Sequence, residues 1–113
     1  IVEITTRNAG ETLVVDLTGS LDTQTSGQAS EEMTQIVTET NGKSLLMNLE
    51  NLQFLSSAGL RVLLRAAKDF QAKGGSIKIC QAKGVVKEVL DISGFGSFLE
   101  IHDNESDALA AFS

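Results

Sequence analysis

The chain has 113 residues, of which 42% are hydrophobic and 21% charged, with only 4% aromatic side chains and neither Trp nor Tyr. That length and apolar content fill one core without metals or disulfides, and the lone Cys80 excludes an internal disulfide and fits a reducing, cytoplasmic setting. A net charge of -6 repels nucleic-acid backbones and anionic lipid, and no apolar run reaches the about 20 residues that span a bilayer, so neither nucleic acid nor membrane is an expected partner.

Strand-like and helix-like patterns alternate with no linker and no internal repeat, which predicts one α/β domain over residues 1–113 with part of its sheet parallel. An edge-type strand near Val2–Thr6 leads to a turn at Asn8-Ala9-Gly10, and Thr12–Thr18 reads as a second strand broken by Gly19-Ser20. Asp22 or Thr23 can then cap a helix on which Ala29, Met33, Ile36 and Val37 share a face, with Gly27 as its weak point. Asn41-Gly42 offers that helix a left-handed stop. Ser44–Leu49 is short and almost continuously apolar, as a central strand covered on both faces should be.

Asn51-Leu52-Gln53 reads as a loop into the paired Ser56 and Ser57. Beyond them Leu60, Leu63, Leu64, Ala67 and Phe70 recur at helical spacing as an inward stripe, while Arg61, Arg65 and Lys68 share another face. Lys73-Gly74-Gly75 turns into a strand at Ser76–Cys80. Val85, Val86, Val89 and Leu90 form a short helix ending at Ser93-Gly94, and a short strand covers Phe98–Ile101. Asn104 with Asp107 can cap a final helix carrying Leu109 and Phe112.

The strongest chemical candidate is the Ser56-Ser57 pair at the start of the Leu60–Phe70 helix. Unpaired N–H groups and the helix dipole make such a position hospitable to a phosphate. One serine can cap the helix, and the second is then free to project to solvent or a partner. A hydrolase reading fails on pattern: the nucleophile elbow is Gly-x-Ser-x-Gly, whereas Phe54-Leu55 precede the serines and the single imidazole, His102, lies far along the chain.

Gly42-Lys43-Ser44 ends like a phosphate loop, but position 37 is Val where that motif needs Gly, and a strand follows rather than a helix. One His and one Cys make no metal cluster, and Glu31-Glu32 and Asp103-Asn104-Glu105 read as solvated faces. Cys80 reads as a small buried hydrophobe. The basic stripe is either a solvated helix face or a docking surface for acidic groups of a protein partner, and Arg61 is within one turn of a phosphate on Ser57.

With these residues in place, the chain resembles the anti-sigma-factor antagonists, the bacterial branch of the STAS domains, from about Glu11 to Phe112. The resemblance is carried by Leu17-Thr18-Gly19-Ser20-Leu21-Asp22, Leu46-Met47-Asn48-Leu49-Glu50-Asn51-Leu52, Leu55-Ser56-Ser57-Ala58-Gly59-Leu60, and Val89-Leu90-Asp91-Ile92-Ser93-Gly94-Phe95, in order. It implies an α/β sandwich with a mixed four- to five-stranded sheet and about four helices. It further implies a protein that is no enzyme and holds no cofactor, monomeric when free, whose partners are an anti-sigma factor doubling as an ATP-binding serine kinase and a metal-dependent serine phosphatase. In that family the unphosphorylated form captures the kinase and frees its client; phosphorylation ends the complex.

Aligned on Gly59-Leu60, the family's acceptor hydroxyl falls on Ser57, with Ser56 as the alternative acceptor. Ser56 stands where the family often has Asp, and Ala58 where it often has a second Ser or Thr. The resemblance places Asp22, Thr23, Ser56, Ser57, Ala58, Gly59, Arg61 and Arg65 on the partner-binding surface. STAS domains also serve as cytoplasmic tails of transporters and as parts of stress-signalling assemblies, where the serine can be unused.

Overall fold

The computed structural model describes residues 1–112, and its organising strand is the second. The sheet holds β1 (Val2–Ala9), β2 (Thr12–Leu21), β3 (Ser44–Asn48), β4 (Leu52–Leu55), β5 (Ser76–Cys80) and β6 (Ile101–His102). Four helices complete the fold: α1 (Ser26–Glu39), α2 (Ser57–Ala72), α3 (Gly84–Ser93) and α4 (Glu105–Ala110), with a 3₁₀ turn at Phe95–Ser97. The main strand order is β1-β2-β3-β5-β6, with β1 antiparallel to β2 and the β2-β3, β3-β5 and β5-β6 pairs parallel.

β1 lies along β2 from Thr12 to Gly19, so β3 and β4 must share the other edge of β2. β3 pairs with Thr12–Asp16 and β4 with Gly19–Leu21, the register shifting between Gly19 and Ser20. Gly19 is what permits the change. Its φ is +98°, and a Cβ there would lie 2.3 Å from the Ile1 carbonyl oxygen. The Gly19-Ser20 pair therefore does not break the strand, as its residue types suggest; it passes β2 from one parallel partner to the next. β4 is the sixth strand, where the sequence suggests a loop and four or five strands in all.

Four other boundaries differ from the sequence reading. β1 continues to Ala9, with the turn at Gly10. α1 begins after Thr25 rather than at Asp22 or Thr23, which places Gly27 in its first turn. It ends at an extended Thr40 without a left-handed Asn41-Gly42, because Lys73 Nζ reaches the carbonyls of Val37 and Thr40 at 2.6 and 3.0 Å and satisfies the exposed helix end. Finally, the last strand starts at Ile101, since Phe95 is buried and the chain after the left-handed Gly94 coils into the 3₁₀ turn.

Alternate strand residues face opposite layers. Val15, Leu17, Leu45, Met47, Ile77 and Ile79 join Met33, Leu63, Ala67 and Phe70 in the main core under α1 and α2. Val14, Leu46 and Cys80 face the other way and are covered by Ala108 of α4, with Leu109 and Phe112 packed alongside. This double coverage is why β3 is apolar at every position from Leu45 to Met47. Cys80 is buried as expected, and burial pushes its thiol up to about 12.

The second face is fastened by charge. Arg7 bonds Asp16 at 2.7 Å and Glu105 at 2.5 Å, and Asn48 Nδ2 donates to Glu105 at 2.8 Å, so β1, β2, β3 and α4 are tied at one point. Lys78, within β5 and buried, pairs with Glu100 at 3.0 Å, and its Nζ lies 5.0 Å from the centre of the Phe112 ring.

Two consequences are measurable. Gly59 in the first turn of α2 is buried, and a Cβ there would meet the Leu21 carbonyl oxygen at 2.4 Å. Gly59→Ala should therefore destabilise by about 1–3 kcal/mol in urea unfolding, opposite in sign to the helix-propensity gain of Ala; equal or greater stability would contradict the close packing.

Glu105 is held below its ordinary value of 4.5, chiefly by the hydrogen bonds of Arg7 and also by Asn48. A depressed folded-state carboxylate stabilises fully above its unfolded value and loses that stabilisation as pH falls through the folded one. Glu105→Gln should thus lose less stability than wild type below about pH 4.5, read by denaturant unfolding across the acid range.

Candidate functional site: the start of α2

β4 ends at Leu55, and the next two residues divide the work of starting α2. Ser56 is the N-cap: its backbone is extended, its Oγ accepts the Gly59 N–H at 3.2 Å, and its carbonyl accepts Leu60 N–H at 2.8 Å. Its own N–H donates to the Leu21 carbonyl at 3.0 Å, which fixes the turn to the end of β2. Ser57 is the first helical residue and is exposed, whereas Ser56 and Ala58 are half-buried and Gly59 is buried.

No acidic residue lies in this first turn, so the positive end of the helix dipole is uncompensated there. The site can therefore present one hydroxyl to an approaching protein and accept negative charge at that point.

The loop after β2 stands against this turn. Asp22 Oδ1 accepts the N–H groups of Gln24 at 2.9 Å and Thr25 at 3.0 Å, and its carboxyl is lowered chiefly by the Thr25 bond. Thr25 is buried; its hydroxyl donates to the Ser20 carbonyl at 2.9 Å and accepts the Asp22 N–H at 2.9 Å. Asp22 thus organises the loop as an Asx turn instead of capping α1, with Thr23 exposed at its tip. Sequence reasoning missed Thr25, whose position three residues after Asp22 is the signal for this arrangement.

Arg61 and Arg65, both exposed, line a groove of about 310 Å³ with Ser26, Ser30, Ala58 and Val62, between the first halves of α1 and α2. Arg65 is held by Asp69 at 3.0 Å. The fold therefore sets Asp22, Thr23, Ser56, Ser57, Ala58 and Gly59 around the start of α2, with Arg61 one turn and Arg65 two turns further along the helix. On the other flank of α2, Leu60 and Leu64 are only half-buried and line an apolar groove of about 290 Å³ with Phe95 and Phe98. The inward stripe is therefore wider than the core needs.

His102 sits on β6, separated from β2 by β3 and β5, and its Nε2 is 2.8 Å from Glu100 Oε1. No imidazole is positioned to activate either serine. Among the described residues there is also no group of three or more His, Cys, Asp or Glu side chains arranged to hold a metal.

The sheet is mixed, and α2 in the helical layer opens on an exposed serine. The STAS domain pattern matches residues 3–108, and the chain belongs to that family. An anti-sigma F factor antagonist of Paenibacillus polymyxa is 36% identical over 97 residues, covering 86% of this chain and 83% of the relative. Among solved structures, an anti-sigma factor antagonist from Mycobacterium paratuberculosis has a TM-score of 0.88 at 18% identity, covering 98% of this chain and 93% of that one. The Bacillus cell fate determinant SpoIIAA in its phosphorylated form has a TM-score of 0.71 at 20% identity, covering 98% of this chain and all of that one.

The two serines should separate in mutagenesis. Ser56→Ala removes the cap and should cost about 1 kcal/mol in urea unfolding, whereas Ser57→Ala should stay within about 0.5 kcal/mol of wild type. Equal losses would contradict the division of roles.

Proposed function

We infer that this chain is an anti-sigma-factor antagonist: residues 1–113 form one binding domain, cytoplasmic and monomeric when free, that regulates by partner exchange and not by catalysis. The observation that carries the reading is the exposed Ser57 at the start of α2, beside a neighbour whose hydroxyl is already used as the cap. The name of the Paenibacillus relative supports the regulatory role, and the phosphorylated form of SpoIIAA, which shares the fold, supports phosphate as the switch.

The proposed partner is an anti-sigma factor that is also a serine kinase and brings its own ATP, so the antagonist itself needs no cofactor. Its contact surface comprises Asp22, Thr23, Ser56, Ser57, Ala58, Arg61 and Arg65, with Gly59 allowing the close approach of α2 to β2. Binding of the unphosphorylated surface releases the kinase's sigma factor. The kinase then transfers the γ-phosphoryl group of ATP to Ser57: the Ser57 Oγ–P bond forms, the bond to the ADP oxygen breaks, and the hydroxyl proton leaves to a base on the kinase.

The product carries roughly -1.5 to -2 additional charges at a helix start that tolerates them, so binding is lost by local repulsion while the fold persists. A metal-dependent serine phosphatase restores the binder.

Mass spectrometry of the protein from its native cells, with and without phosphatase treatment, tests the assignment. A removable phosphate on Ser57 is expected; phosphate on Ser56, or none under any growth or stress condition, would sink it. Ser57→Asp should keep the wild-type fold by circular dichroism and lose the kinase in pull-down from those cells, and Ser57→Ala should retain it.

A further inference from the structure

We propose that Arg61 is the internal ligand of a phosphate on Ser57. The proposal rests on Ser57 being the acceptor and deepens that reading. The two residues stand at i and i+4 of α2, one above the other on a single face, with Cβ atoms about 5–6 Å apart. A long helical side chain leans towards the N-terminus and covers the turn before its own Cα, so the Arg61 guanidinium is directed over the turn that Ser57 opens. Acid before base at this spacing is the favourable order.

The other cations of α2 and its end are unsuited to this task. Arg65 is two turns from Ser57 and paired with Asp69 at 3.0 Å. Lys68 is eleven positions on, about 16 Å along the axis, and Lys73 is spent on the carbonyls at the end of α1. Arg61 is exposed and, among the described residues, has no ion pair or side-chain hydrogen bond. A phosphate adds three acceptor oxygens to which its fork of N–H donors can bond. Once engaged, Arg61 leaves the groove it shares with Ser26 and Ser30, and the surface loses a cation at the moment it gains an anion.

The test uses the full chain with phosphoserine inserted at position 57 during translation, so no kinase is needed. Titration followed by phosphorus NMR should give a second phosphate ionisation about 0.2–0.4 pKa unit lower in the wild type than in Arg61→Gln. Arg65→Gln should match the wild type. Asp22, the carboxylate of the adjoining loop, is common to all three proteins, and amide spectra establish that each is folded.

Identical ionisation in wild type and Arg61→Gln, or an equal change in Arg65→Gln, would overturn the proposal. Absence of phosphate in cells would instead defeat the functional assignment and leave this comparison standing.

Discussion

The Leu21 carbonyl is the point on which the site is built. It accepts the Ser56 N–H at 3.0 Å, and it lies so close to Gly59 that no Cβ fits between them. The last residue of β2 is thus joined to both the cap and the first turn of α2, which leaves the helix little freedom to tilt or slide. Gly19 serves the same end two residues upstream, since the shift it permits gives β2 a second parallel partner, β4, at Ser20 and Leu21. Because β4 ends at Leu55, the chain enters the serine turn directly from a paired strand, and the hydroxyl of Ser57 is presented from a rigid base.

Rigidity of this kind determines what added charge can do. The ionic groups that hold the fold together, Arg7 with Asp16 and Glu105 and Lys78 with Glu100, lie on the opposite face of the sheet, where α4 packs. A phosphate at the start of α2 leaves their partners in place. Its effects are confined to the end of the helical layer, where the α2 dipole favours it and the neighbouring loop of Asp22 does not. A surface so arranged can change its affinity for a partner without a change of fold.

Much of this was legible because the residues concerned act locally. Asn104 accepts the Asp107 N–H at 2.8 Å, Gly94 adopts the left-handed stop, and the apolar run from Leu45 to Met47 is buried on both faces, each as its residue types dictate. The errors lie where distant partners decide. β4 is hidden in the sequence because its four residues put apolar side chains at both ends and leave Phe54 exposed, so neither alternation nor a continuous run marks it. Lys73 replaces the Asn41-Gly42 stop from 33 positions beyond Thr40, a contact no local pattern encodes.

The neutral Ser56 gives this site a character distinct from that of relatives with an acid in its place. An acidic cap would compensate the α2 dipole before any phosphate arrives and would then stand beside it as a like charge. Ser56 supplies the same acceptor for the Gly59 N–H with no charge, so the first turn carries no acidic side chain against the helix dipole. The cost is the absence of a carboxylate able to orient the Ser57 hydroxyl. Ser56 thus caps α2 without charge, Ser57 keeps a free and exposed position beside it, and Arg61, one turn on, has no ion pair among the described residues.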